Sequence, residues 1–178
     1  MREPGPVQLA AATIIAGAAA RGVRVALVEY RTGGAIIAEL GAIDIRGHWI
    51  DLAATLNGRA PIEDLAGVTP ALIDSFGAVS RPVALEMAEG VEARTDANII
   101  LSATVAAAPA ATDEEDGLLY LAARSRGRTE SREHHLGALD TDDFQARVAL
   151  AAFMLLETMR DDFPIAPEQG TVIEILPS

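Results

Sequence analysis

The chain has 178 residues, half of them hydrophobic but only 4% aromatic, and contains no cysteine. That length supplies a core for one domain without staples, and the missing thiols exclude a disulfide framework, a thiolate catalyst and a cysteine metal site. The 14 basic residues against 26 acidic ones leave a formal charge of −12, which repels phosphate backbones and argues against a nucleic-acid partner.

The first predicted element is a helix from Val7 to Arg21. Its alanine-rich run ending in small residues has the outline of a signal sequence, but Pro4 and Pro6 precede it, Gln8 and Thr13 interrupt it, and Gly22 suits a C-cap. No run is long enough for a membrane span, so the reading is a soluble cytoplasmic protein. Val23 to Val28 is expected as a buried strand and Gly33 to Leu40 as a short helix. His48 to Leu56 is expected as the next strand, closed by the Asn57-Gly58 turn. Pro61 to Phe76 reads as helical turns broken at Gly67 and Pro70.

A helix from Arg81 to about Ala93 follows, with Ser80 as its cap and Pro82 in its first turn. Ala97 to Val105 and Gly117 to Ala123 read as buried strands separated by the acidic segment AAAPAATDEED. Ser125 to Arg128 forms the turn of a hairpin that returns along Thr129 to Leu136. Arg124, Arg126, Arg128 and Arg132 cluster there, but Glu130 and Glu133 interleave with them, as on a solvated hairpin. The last long helix is capped by Asp140 or Thr141, and Phe144, Val148, Ala151, Leu155 and Met159 form its core-facing stripe. The pattern predicts a three-layer α/β/α sandwich with a mixed sheet over residues 1–160. Residues 161–178 are read as an extension whose TVIEIL run pairs with its own sheet or with a partner subunit.

Chemistry concentrates at VRVALVEYRTGG, residues 23–34, where a strand runs into a Thr-Gly-Gly turn that opens a helix. Unpaired N–H groups at a helix start, with glycines beside them, outline a phosphate cradle. Tyr30 and Arg31 stand at the corner, where a hydrolase would place a small activated nucleophile. Tyrosine, with a pKa of about 10, needs a strong base to serve. Glu29 is the local candidate base, with a hydrogen-bonding role as the favoured reading. Thr32 is a second candidate nucleophile, although capping with its hydroxyl is its simpler role. His134 and His135 follow Glu133, but neighbours on a strand face opposite ways and do not share one ion, so no metal is assigned.

Glu29-Tyr30-Arg31-Thr32-Gly33-Gly34, followed by Gly77-Ala78-Val79-Ser80 and then Val83 to Met87 and Ala88, resembles the C-terminal domain of the CinA family. Its active members are nicotinamide-nucleotide amidohydrolases, and the family patterns are Glu-Ser-Cys-Thr-Gly-Gly and Gly-Ala-Val-Ser. The resemblance spans about Val7 to Met159. It implies a ligand site built from Glu29, Tyr30, Arg31, Thr32, Gly33, Gly34, Ser80 and Thr104, a nucleotide-like ligand, self-association, and no cofactor.

The departures cut against catalysis. Tyr30 stands at the nucleophile position and Ile62 at that of the base lysine. Gly47 and Asn57 stand where a helper serine and tyrosine belong. The chain has no lysine at all, so no shift of register restores a Ser-Lys dyad. The family's Gly-Ile-Ala-Gly-Pro loop falls on Val105 to Pro109 without its glycines, and its Gly-Asp-Arg segment falls on Gly137, Ala138 and Leu139. These losses point to a non-hydrolytic protein that keeps a binding or assembly role. The alternatives are an amidohydrolase using Thr32 or Tyr30, and a purely structural oligomer with a closed pocket.

Overall fold

A computed structural model describes residues 4–106 and 115–166. Helix α1, Pro6–Arg21, buries Ala11, Ile14, Ile15 and Ala18 and ends on Gly22, whose left-handed backbone lets its N–H return to the last carbonyls. The Val23 N–H is spent on the Ala18 carbonyl, so strand β1 begins two residues later than the sequence suggests and runs Val25–Tyr30. Helix α2 is Ala35–Ile43, strand β2 Ile50–Leu56, and two short helices follow, α3 Arg59–Asp64 and α4 Pro70–Phe76. Helix α5, Arg81–Glu92, is capped by the Ser80 hydroxyl, which accepts from the Val83 N–H. Strands β3 Ile99–Ala106, β4 Leu118–Ser125 and β5 Arg128–His135 lead to α6, Thr141–Arg160, whose cap is the Asp140 carboxylate.

The five strands lie in the order β2-β1-β3-β4-β5. β1 is parallel to both neighbours, and β3, β4 and β5 are antiparallel, so the sheet is mixed. Alternation along β1 feeds two cores. Val25 and Leu27 join residues of α1, α2 and α6, including Ile36 and Phe153. Ala26, Val28 and Tyr30 join Ile62, Ile73 and Met87 from α3, α4 and α5. Helices therefore cover both faces, and the predicted three-layer α/β/α sandwich is what the chain forms.

Residues 161–166 do not leave the domain at residue 160. Phe163 is buried, Arg126 lies 3.9 Å over its ring, and the Arg21 guanidinium donates to its carbonyl. The expected TVIEIL strand lies outside the described residues, as do positions 107–109 of the segment matched to the family's Gly-Ile-Ala-Gly-Pro loop and the acidic pair Asp113 and Glu114.

Candidate functional site

From β1 the chain crosses by way of α2 to β2 on one side. From β2 it returns by way of α3 to α5, on the opposite face, to β3 on the other side. The chain reverses direction across the sheet between β1 and β3, and the crevice beyond the carboxyl ends of strands at such a point is where open α/β sheets hold ligands. Here those ends carry Tyr30 and Thr104, directly paired, with Leu56 on the far side of Tyr30 and Tyr120 on the far side of Thr104.

The corner after β1 is held by its own side chains. Glu29 is fully buried on the α2 face; its Oε1 accepts from Ile37 N–H at 2.7 Å and its Oε2 from Ile36 N–H at 3.2 Å and from the Thr32 hydroxyl. The Thr32 oxygen in turn accepts from Gly34 N–H at 3.2 Å. Burial pushes the Glu29 carboxyl above its usual pKa, against the opposing pull of Thr32, Ile37 and Ile36. The anion over the first turn of α2 is thus the protein's own carboxylate. The phosphate cradle outlined by the sequence is not open at Ile36 and Ile37. Gly33 and Gly34 have φ of +72° and +78°, so the helix starts at Ala35 rather than at Gly33. Arg31 adopts φ +62°, a conformation uncommon for a side chain of its size.

Tyr30 ends β1 instead of standing in the turn, and it is only 8% exposed. Ile62 is fully buried in the same apolar cluster, so the positions matched to nucleophile and base both lie in one packed core. The β2 residue beside Tyr30 is Leu56, while Asn57 is exposed beyond the strand. Gly47 lies before the other end of β2, at the Val25 side of the sheet, and the strand between spans about 20 Å at a rise of about 3.3 Å per residue. It does not join the others. Ser80 is occupied in capping α5, its hydroxyl donating to the Gly77 carbonyl. Thr104 is fully buried, and its hydroxyl has no hydrogen-bond partner among the described residues. The two histidines sit on opposite faces of β5, His135 against Glu133 at 3.0 Å and His134 with a buried Nε2 that has no partner among the described residues.

A second recess opens on the other side of the corner. Arg31, Thr32 and Gly33 form one wall, and Leu139, just before α6, with Thr141, Phe144 and Gln145 from its start, form the other, around a volume of about 210 Å³. The resemblance singles out Leu139 as part of the Gly-Asp-Arg segment, but sequence reading misses Thr141, Phe144 and Gln145 as parts of this wall because more than a hundred residues separate them from the corner. Gly33 is a local signal of the contact: it sits at φ +72°, and a Cβ there would meet the tip of the Gln145 side chain, Nε2, at 2.9 Å.

These features define a doubly covered α/β domain with a ligand-sized corner at its chain reversal. Residues 8–160 match the model of the CinA C-terminal domain, and the chain belongs to that family. It is 34% identical over 142 residues to a CinA-like protein of Acidobacterium capsulatum, covering 79% of this chain and 33% of that one. It is 31% identical over 145 residues to a putative competence-damage inducible protein of Geobacillus kaustophilus, covering 80% and 35%. The chain thus spans about a third of the length of these curated relatives. The crystal structure of the competence/damage inducible protein CihA from Agrobacterium tumefaciens superposes with a TM-score of 0.81 at 28% identity, over 89% of this chain and 98% of that one. The competence damage-inducible protein A from Klebsiella pneumoniae gives 0.78 at 22% identity, over 86% and 96%. At that identity the Klebsiella likeness is one of fold alone. Among the described residues no helix is long and apolar enough to cross a membrane.

Proposed function

We propose that this chain is a CinA-like protein that does not hydrolyse nicotinamide nucleotides and instead binds a nucleotide-like small molecule, as a self-associating cytoplasmic domain. The observation that carries this reading is the burial of Tyr30 and Ile62 in one apolar cluster. A serine nucleophile and a lysine base exchange a proton only when both are present and touching, and here a phenol and an alkyl group fill the matched positions. The corner Arg31 to Gly33 still lines a recess, and beneath the chain reversal the buried Thr104 hydroxyl has no partner among the described residues.

One observation favours a second reading. The Thr32 hydroxyl donates to the buried Glu29 carboxylate, the arrangement that a threonine nucleophile and its base would adopt. Both Glu29 oxygens also accept backbone N–H groups from α2, which spends its basicity on holding the helix.

The test is incubation with nicotinamide mononucleotide, following ammonia release and calorimetric binding in the native chain and in Tyr30→Ala and Thr32→Ala. Binding without ammonia is expected from the native chain. Ammonia release that disappears in Thr32→Ala would establish the second reading. Binding only after Tyr30 is trimmed would mean that the phenol closes the pocket and that the domain is structural. Light scattering on the same samples checks self-association, where a monomer at all concentrations would remove that part of the proposal.

A further inference from the structure

We infer that the recess between the β1–α2 corner and the start of α6 takes the anionic end of a ligand, a carboxylate or phosphate carried on a compact ring, with the Arg31 guanidinium as its anchor. This deepens the binding half of the reading above.

Three observations converge on it. The first is charge. In a chain of net charge −12, Arg31 lines the recess and makes no ion pair among the described residues. Its guanidinium carbon lies 6.0 Å from the centre of the Tyr30 ring. Asp140, Asp142 and Asp143 stand on the same end of α6, but none of them lines the recess. A guanidinium offers paired donors in a plane that matches a carboxylate or phosphate edge.

The second observation is construction. Arg31 is held at φ +62°, a conformation that places its side chain at this corner against its own steric preference. Opposite it, Thr141 and Gln145 line the recess, and neither side chain makes a hydrogen bond among the described residues. Phe144, mostly buried, adds an aromatic edge.

The third observation is size. A volume of about 210 Å³ equals about seven times the ~30 Å³ share of a water molecule in the liquid, and lies below the ~300 Å³ at which drug-sized pockets begin. A six-membered ring with one anionic substituent fits; a whole nucleotide places only its charged end inside.

The experiment is calorimetry on the full chain with phenyl phosphate, benzoate and neutral benzamide. The two anions are expected to bind at least tenfold more tightly than benzamide, and their ratio tells phosphate from carboxylate. Arg31→Gln is expected to reduce anion affinity at least tenfold, Arg31→Lys to retain part of it, and Gln145→Ala to weaken it two- to fivefold. Thermal melts of each variant separate loss of the site from loss of the fold. Equal binding of benzamide, unchanged affinity in Arg31→Gln, or no binding of either anion overturns the inference. Nicotinamide mononucleotide binding that survives Arg31→Gln would overturn the recess while leaving the broader reading intact. Anion binding with no nucleotide binding would do the reverse.

Discussion

The Thr32 hydroxyl donates to the Glu29 carboxylate three residues back, and that carboxylate also receives the Ile36 and Ile37 N–H groups. One buried side chain thereby ties the end of β1, the corner and the first turn of α2 together. Glu29→Ala leaves three donors without their acceptor, and a stability loss of about 2–3 kcal/mol is expected by urea denaturation. The pH dependence has a definite sign. Burial raises the folded pKa above 4.5, so native stability falls as pH rises from there through the raised value. Glu29→Gln should flatten that part of the stability profile relative to the native chain.

Asp44 shows the opposite sign. Its carboxylate accepts from the His48, Trp49 and Ile50 N–H groups at 3.0, 2.9 and 2.9 Å and so closes the loop between α2 and β2. Burial acts to raise its pKa, but the three N–H bonds and His48 outweigh it and hold the carboxyl below its ordinary 3.8. Its contribution is therefore complete above about pH 3.8 and is lost as the solution is acidified further. Asp44→Ala should cost about 1–3 kcal/mol at neutral pH, measured by chemical denaturation.

Arg31→Gly should move stability the other way. Glycine adopts φ +62° without the steric penalty of about 1–2 kcal/mol that a side chain meets there, and part of that gain is offset by the greater freedom of glycine in the unfolded chain. A rise of about 0.5–1 kcal/mol is expected, together with loss of anion binding. A drop in melting temperature would show that the arginine side chain supports the fold.

Two glycine-to-alanine changes make a matched pair. At Gly90, in α5, an added Cβ would lie 1.8 Å from the Ala66 carbonyl oxygen, a backbone atom that cannot swing aside. Gly90→Ala should cost about 2 kcal/mol or more. At Gly41, in α2, a Cβ meets nothing within 4 Å, and Gly41→Ala should stabilise by about 0.5–1 kcal/mol. Melting curves of both variants check the close packing of α5 on the Ala66 turn.

Much of the fold was legible because its signals are local. The cap at Ser80, the hairpin at Arg126-Gly127 with both residues at positive φ, and the stripe on α6 each follow from a few adjacent residues. The poor alternation of β2 also has a physical cause, since β2 is an edge strand and only Leu56 of its residues is buried. The start of α2 was misplaced because consecutive glycines permit either a helix or a left-handed turn, and the side chains around them choose. The pairing of Tyr30 with Thr104 and the second wall of the recess depend on contacts between distant segments. No local pattern encodes those contacts. The packing of Phe163 against Arg126 was hidden for the same reason, which is why the domain appeared to stop at residue 160.

The shared cluster of Tyr30 and Ile62 also constrains how a hydrolytic site could be put back. Tyr30→Ser alone removes a ring from a packed core and leaves a hydroxyl beside a void. Ile62→Lys alone introduces an amine where there is no water, and desolvation drives it to the neutral form. A neutral lysine is what a serine needs as its base, but it helps only when the serine is already there. Either change made first is expected to lower stability while supplying only half of a Ser-Lys pair, so each position is held as it is by the core around it.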